Sequence, residues 1–426
     1  MKKNRIRKAL VVVAVSIGAI FCIGYAGLKV LQHQLEKKIT GCTIESNAFI
    51  AVIPFEYINS WIVVQVRVAG SEKEFPFILD TGAQTVLLDS LLNEIGTDNF
   101  SRLAFSNESD SVEHAFNNEL LSLSQLGLGE VSFRDIGAIS AKNSKWEMLN
   151  CISPYGIIGY NILQTFYSQI DYTKKQLIIT DDIKRLPNYD QIQWLDYTPI
   201  KNQESPMVQA MVNDSIKVSL LLDTGFSGGI ALKSDKLFNS FTTRYPNRTL
   251  KYISKPTLKI RGENDETYES VFYKPESFSL GSFSSDGIII TLENGKEREF
   301  TGSVGNKYLE NFIITLDYKS NRIGFIQQHN PTSDNSTYGV NYIASKKGIA
   351  ISSVIHGSAA HNLGIQSGDV LHSINGIKTS ELDENDFCSI YRAEYEFNNP
   401  QDSTLTLEIL KGEKVVKYEL KKYNKF

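Results

Sequence analysis

The chain has 426 residues, with 44 Lys and Arg against 48 Asp and Glu, so its formal net charge is −4. This length predicts two or three domains, and a hydrophobic content of 42% is sufficient for packed cores. The absence of a dense Lys/Arg run beyond the N-terminus argues against nucleic acid as a partner.

The spacing of cysteine and histidine argues against a zinc enzyme. The cysteines form no C-x-x-C pair, and the six histidines form no H-E-x-x-H motif. We therefore expect neither a metal nor an organic cofactor. Because the cysteines are far apart and one lies in an apolar N-terminal segment, we also expect no disulfide framework. The four cysteines are Cys22, Cys42, Cys151 and Cys388.

The N-terminus has the pattern of a membrane anchor. Residues 1–8 are strongly basic, and the apolar run from Ala9 to Leu28 contains no charged residue. A helix of that length spans the roughly 30 Å hydrocarbon core of a bilayer. The basic flank predicts a cytoplasmic tail at 1–8 and a transmembrane anchor at 9–31. The rest of the chain is then expected in the periplasm or outside the cell.

Two other interpretations of this N-terminus stay open. Residues 24–26 resemble a weak signal-peptidase site, although the apolar run exceeds the usual signal-peptide core of about 7–15 residues. Cys42 follows small residues, as a lipid-attachment cysteine would. However, the charged stretch from Gln34 to Lys38 separates it from the apolar run.

Two Asp-Thr-Gly triplets, each at the end of an apolar run, are the most informative motif. The first, residues 80–82, follows the sequence FPFIL, and the second, residues 223–225, follows VSLLL. An apolar run that ends in Asp and Gly predicts a buried strand followed by a tight turn. Two such corners in one chain indicate a site with paired carboxylates.

The triplets belong to an internal duplication. In both copies, two apolar or small residues followed by glycine lie near the C-terminal end of the copy, at residues 157–159 (IIG) and 303–305 (SVG). A short helix and a closing strand follow each glycine, and the other segments are short strands with Gly or Asn turns. The sequence therefore predicts two mainly β lobes, at residues 45–182 and 192–328.

The paired corners suggest acid–base chemistry if the lobes face each other. Two carboxylates about 3 Å apart share one proton, because both cannot ionise cheaply. The charged one can activate water, and the protonated one can donate to a carbonyl oxygen or a leaving nitrogen. Asp80 and Asp223 are the candidate catalytic residues. The residues predicted to hold the geometry are Thr81, Gly82, Thr224 and Gly225.

These residues resemble the aspartic peptidases, in particular retropepsin-like domains, over about residues 45–328. The resemblance implies two tandem retropepsin-like (acid protease) β-barrel lobes that form a bilobal unit with a peptide-binding cleft between them. It also implies that the segments at Gly159 and Gly305 pack behind the catalytic loops. β-Hairpin flaps cover the cleft in that family, and Phe100 to Asn118 is a candidate flap by position.

The second lobe departs from the family pattern. Ala83 after the first triplet fits it, whereas Phe226 does not, and Ser303 replaces an apolar residue. Neither Ala83 nor Phe226 can donate a hydroxyl hydrogen bond to a carboxylate, which predicts raised carboxyl pKa values and an activity optimum around pH 5–7. The departures also leave a catalytically inactive peptide-binding scaffold as the alternative.

Residues 338–426 resemble a PDZ domain of the kind found in bacterial envelope proteases. The motifs are GSAA at 357–360, GDVL at 368–371 and ING at 374–376. Such a domain binds a peptide as an added strand and holds its terminal carboxylate on backbone N–H groups, here expected at Gly339 and Val340. The sequence thus predicts a membrane-anchored aspartic endopeptidase whose PDZ-like domain recruits or regulates protein or peptide substrates.

Overall fold

The computed structural model describes residues 41–46, 48–69, 71–105, 119–143, 149–201, 203–254, 268–345, 348–392 and 402–426. The predicted tail at 1–8 and anchor at 9–31 lie outside these ranges, as do residues 106–118 of the candidate flap. None of the helices within the described ranges is long and apolar enough to cross a membrane.

The described part of the chain is mainly β, as predicted, with short helices. We define a first unit (β1–β11), a second unit (β12–β24) and a C-terminal unit (β25–β32). The strands of the first unit are β1 Thr43–Ile44, β2 Ile50–Ile58, β3 Trp61–Val68, β4 Glu74–Leu79, β5 Val86–Leu88, β6 Phe100–Phe105, β7 Glu119–Leu128, β8 Val131–Ala141, β9 Gly156–Ile158, β10 Tyr167–Asp171 and β11 Gln176–Thr180.

The second unit has strands of similar length. They are β12 Gln193–Asp196, β13 Thr198–Pro199, β14 Pro206–Val212, β15 Ile216–Leu222, β16 Ile230–Lys233, β17 Thr249–Ser254, β18 Tyr268–Tyr273, β19 Phe278–Leu280, β20 Phe283–Ser285, β21 Ile290–Glu293, β22 Gly302–Val304, β23 Phe312–Asp317 and β24 Arg322–Gln327.

Within the described residues, the C-terminal unit adds eight strands to these. They are β25 Ser336–Thr337, β26 Val340–Ser345, β27 Gly348–Ile355, β28 Leu371–Ile374, β29 Ile377–Lys378, β30 Thr404–Lys411, β31 Lys414–Lys421 and β32 Tyr423–Asn424. The α-helices are α1 Asp89–Ile95, α2 Tyr160–Leu163, α3 Asp235–Arg244, α4 Asn306–Leu309, α5 Ala359–Asn362 and α6 Glu384–Tyr391.

The first and second units repeat the same strand pairings. β4 runs parallel to β9, with Leu79 opposite Ile158, and β15 runs parallel to β22, with Leu222 opposite Val304. β5 and β16 then pair antiparallel with the other edge of β9 and β22. β4 and β15 are apolar at their ends because they are central strands covered on both faces. Each triplet therefore begins at the same place in its unit.

A six-stranded antiparallel sheet joins the two units, in the order β12-β24-β23-β10-β11-β2. The junction is the pairing of β10 with β23, where Ser168 lies opposite Leu316. Both of these strands come from the closing hairpins of the duplicated sequence. Their backbone hydrogen bonds fix the two units relative to each other.

The C-terminal unit contacts both other units. β27 pairs antiparallel with β17 of the second unit, where Ile355 lies opposite Tyr252. On the side of the first unit, α6 carries Cys388, which forms a disulfide with Cys151 across a Cα–Cα distance of 4.9 Å. The Arg392 guanidinium also donates to the Cys151 carbonyl at 2.7 and 3.0 Å. Apolar residues of the first and C-terminal units form one buried cluster there.

The disulfide corrects the expectation drawn from cysteine spacing. Cys151 and Cys388 are 237 residues apart in sequence, so no local pattern pairs them. Tertiary packing of α6 against the segment at residues 149–153 brings the two thiols together. Cys42 remains a free thiol that packs against the core of the first unit, and burial raises its pKa to about 12.

Breaking this disulfide should destabilise the protein, since a cross-link over so long a loop restricts the unfolded chain strongly. We expect wild-type protein treated with dithiothreitol to lose roughly 2–5 kcal/mol of unfolding free energy in urea. The Cys151→Ser/Cys388→Ser double variant is the control, because its unfolding midpoint should not respond to dithiothreitol. An unchanged wild-type midpoint would contradict the prediction.

Candidate active site

The two triplets meet at the interface between the first and second units. A Cβ atom placed on Gly82 would lie 3.0 Å from Oδ1 of Asp223. A Cβ atom placed on Gly225 would lie 2.1 Å from Oδ2 of Asp80. Each carboxyl group therefore packs against the glycine of the opposite corner, where any side chain would clash. The structure brings Asp80 and Asp223 together as the duplicated motif predicts.

Reciprocal hydrogen bonds between Thr81 and Thr224 hold the corners in place. The backbone N–H of each threonine donates to the hydroxyl of the other, both at 3.0 Å. The Thr81 hydroxyl then donates to the Leu222 carbonyl at 2.6 Å, and the Thr224 hydroxyl donates to the Leu79 carbonyl at 2.9 Å. Both threonines are fully buried, so these bonds face no competition from water.

Each aspartate is fixed by the backbone of its own corner. The Gly82 N–H donates to Oδ1 of Asp80 at 2.7 Å, and the Gly225 N–H donates to Oδ1 of Asp223 at 2.9 Å. The two side chains are also hydrogen-bonded to each other, which requires one of them to carry a proton. Both are partly exposed, so one side of the pair is open to solvent.

Burial sets the protonation of this pair. It raises the pKa of Asp80 to about 6, against the lowering effect of hydrogen bonds from Gly82, Asp223 and Ala83. The pKa of Asp223 is raised well above its usual value, first by burial and second by the negative charge of Asp80. Near neutral pH the pair therefore holds one proton, which the two carboxyl groups share.

Gly159 and Gly305 pack directly behind the two corners. A Cβ on Gly159 would approach the Thr85 nitrogen to 2.3 Å, and one on Gly305 would approach the Phe226 carbonyl oxygen to 2.3 Å. The Tyr160 N–H donates to the Ala83 carbonyl at 2.8 Å, and the Asn306 N–H donates to the Phe226 carbonyl at 2.9 Å. The two backing segments thus support their corners in the same way.

Phe226, which departs from the family pattern, is accommodated by neighbouring glycines. A Cβ on Gly228 would lie 2.3 Å from Phe226 Cζ, and one on Gly305 would lie 2.5 Å from Phe226 Cδ1. The ring therefore occupies space that these glycines leave free. Ser303 lies in β22 opposite Leu221 and Ala231, where its backbone completes the sheet. The backbone N–H of Phe226 donates to the backbone carbonyl of Asp223 at 3.2 Å.

Two buried asparagines are part of the site but were not predicted from the sequence. Asn161 accepts hydrogen bonds from the N–H and the hydroxyl of Thr85, at 2.9 and 2.7 Å. Asn306 donates to the carbonyls of Thr224 and Ser60, both at 2.7 Å. The available signal was an asparagine within two residues of the glycines at 159 and 305, in segments that are otherwise largely apolar.

The predicted peptide-binding residues lie at the start of β26. The Gly339 N–H donates to the Thr337 hydroxyl at 3.0 Å, and Val340 is buried in the core. Among the described strands, β26 pairs only with β27. For the candidate flap, residues 100–105 form β6, which pairs with β7.

Comparison with known proteins identifies one part of the chain. A family model described as PDZ domain matches residues 314–394, so the chain contains a PDZ domain. The matched range begins within β23 and ends before β30. No curated protein sequence matches the chain. Among solved structures, the crystal structure of Basic 7S globulin from soybean is similar at 11% identity and a TM-score of 0.42, covering 67% of this chain and 96% of that chain.

Neutralising either aspartate should stabilise the fold at high pH. A carboxyl whose pKa is raised on folding favours the folded state at low pH, and this contribution is lost as pH rises through the folded pKa. We expect Asp80→Asn to raise the unfolding free energy at pH 8 by roughly 1–3 kcal/mol and to leave it nearly unchanged at pH 3.5. Urea unfolding at the two pH values measures this, and equal effects at both would contradict the assigned pKa.

Proposed function

We propose that the protein is an aspartic endopeptidase that hydrolyses peptide bonds with water activated by Asp80 and Asp223. The observation that carries the proposal is the pair of facing carboxyl groups that share one proton and are locked by reciprocal threonine hydrogen bonds. No metal or organic cofactor is required for this chemistry.

The proposal gives the two carboxyl groups different roles. Ionised Asp80 accepts a proton from the attacking water while protonated Asp223 donates to the carbonyl oxygen of the scissile amide. Asp80, now protonated, then supplies the proton that the leaving nitrogen needs as the C–N bond breaks, while Asp223 takes back a proton from one hydroxyl of the diol intermediate. The rigid corners keep both carboxyls in position, so little reorganisation is needed during the reaction.

The proposal includes two tandem retropepsin-like lobes, at residues 45–182 and 192–328, that form the bilobal unit. Three observations support it: the repeated strand pairings around β9 and β22, the matching glycines that back the corners, and the six-stranded sheet that joins the units. Peptide substrate would bind across the solvent-exposed side of the carboxyl pair.

The PDZ domain supports the binding of a peptide or protein partner. We propose that a peptide C-terminus binds along β26 on the side away from β27, with the backbone near Gly339 and Val340 holding the carboxylate. Because β26 continues through β27 into β17, such a peptide would extend the sheet of the second unit. The PDZ domain would in this way recruit or regulate substrate.

We further propose a single-pass membrane protein with its catalytic region in the periplasm or outside the cell. The basic residues before the apolar run support the orientation. The Cys151–Cys388 disulfide supports an oxidising compartment, where such bonds persist. Packing of Cys42 against the core disfavours lipid attachment at its sulfur.

Peptide cleavage by the soluble region, residues 41–426, tests the enzyme against the inactive-scaffold alternative. We expect Asp80→Asn and Asp223→Asn each to lower kcat/KM by about 100-fold or more, because each removes one acid–base group. Asp171→Asn is the matched control, since Asp171 is also buried but caps a hairpin at the Lys174 N–H. If both variants cleave as wild type does, the dyad mechanism is wrong. If the wild-type protein cleaves no peptide, the result supports the inactive-scaffold alternative.

The pH dependence of cleavage follows from the carboxyl pKa values. Since Asp80 must be ionised to act as base, kcat/KM should rise with pH and reach half of its maximum at about pH 6. It should fall again at higher pH, when the pair loses its second proton. A kcat/KM profile measured from pH 3 to 10 checks this, and a maximum below about pH 3.5 would be incompatible with the raised pKa.

A further inference from the structure

The side chain of Asn306 makes contacts that cross from the second unit into the first. It is fully buried at the start of α4, and its Nδ2 donates to the Thr224 carbonyl and to the Ser60 carbonyl of the β2–β3 turn. Its Oδ1 accepts from the Tyr172 hydroxyl at 2.8 Å. Both Nδ2 hydrogens and one acceptor position of Oδ1 therefore have defined partners, which fixes the orientation of the amide.

The contact with Thr224 leads directly to a candidate catalytic group. The Thr224 carbonyl and the Gly225 N–H belong to one peptide unit, and that N–H donates to Oδ1 of Asp223. A hydrogen bond accepted by a peptide carbonyl polarises the peptide and strengthens its N–H as a donor. Asn306 is thus linked to the Asp223 carboxyl through the planar Thr224–Gly225 peptide group.

This arrangement is specific to the second unit. The residue after the backing glycine is Tyr160 in the first unit and Asn306 in the second. The buried amide of the first unit, Asn161, is one position later and binds Thr85 and the Gly137 carbonyl instead. The duplication therefore does not explain the placement of Asn306 behind the Asp223 corner.

We propose that Asn306 is a positioning residue that orients and polarises the Thr224–Gly225 peptide and thereby sets the acidity of Asp223. The inference rests on the proposed function for its catalytic meaning. A stronger hydrogen bond from the Gly225 N–H favours the ionised form of Asp223. Asn306 therefore lowers the pH at which Asp223 loses its proton. Tyr172 contributes by fixing the orientation of the amide.

Other ionisable groups surround this arrangement. Asp80 faces Asp223 directly, and the buried Tyr318 hydroxyl senses the charge of Asp80. Around the amide, Tyr57 donates to Glu310 at 2.5 Å beside Tyr172. The groups to be considered in any pH effect are Asp80, Tyr318, Tyr57, Tyr172, Glu310 and Lys307 of α4.

The test is a carboxyl titration of Asp223 by ¹³C NMR, assigned with Asp223→Asn, alongside the pH profile of kcat/KM. We expect Asn306→Ala to raise the pKa of Asp223, and with it the alkaline limb of the profile, by about half a unit to one unit. Tyr172→Phe should shift both in the same direction by a smaller amount. If Asn306→Ala fails to fold, the Tyr172→Phe variant tests the inference in its place.

Tyr57→Phe is the matched control, because it removes another hydrogen bond between the units without touching Asn306. It should leave the titration of Asp223 unchanged. The inference is overturned if Asp223 titrates as in wild type when Asn306 or Tyr172 is replaced, or if Tyr57→Phe shifts it equally. Since NMR needs no turnover, this outcome is separate from failure of the proposed function, which would appear as absent cleavage.

Discussion

The exchange of hydrogen bonds between Thr81 and Thr224 is the interaction on which the rest of the site depends. Four bonds of 2.6–3.0 Å join two loops from different units at a point that water does not reach. They set the distance between the corners, and so they force two carboxyl groups into contact. Shared protonation, raised pKa values and the division into acid and base all follow from that enforced proximity.

Holding two carboxyls together has a cost, and the fold offsets it with supports at several levels. Backing glycines allow α2 and α4 to approach the corners, and the six-stranded sheet fixes the units through β10 and β23. The PDZ domain adds two further attachments, the β17–β27 pairing and the Cys151–Cys388 disulfide. Strained or buried polar sites need surrounding structure to persist, and these attachments add to that structure.

Part of the local structure could be predicted from the sequence. The closing strands and the short helices after Gly159 and Gly305 were predicted, because apolar periodicity and Gly or Asn turns are local signals. The disulfide and the contacts of Asn306 were not predicted. Both join residues from separate units, and neither has a pattern within a short window of sequence.

The sequence by itself determined that two equivalent strand-to-turn corners carry aspartates and that a PDZ domain follows them. Side-chain type and spacing suffice for this, since each corner is specified by the strand before it and the glycine within it. The sequence also distinguishes the second corner by Phe226 and Ser303. Only the tertiary structure decided that the two carboxyl groups meet and that Asn306 contacts the Asp223 corner, because burial, the charge of one carboxyl on the other and the Asn306 contact depend on how the units pack.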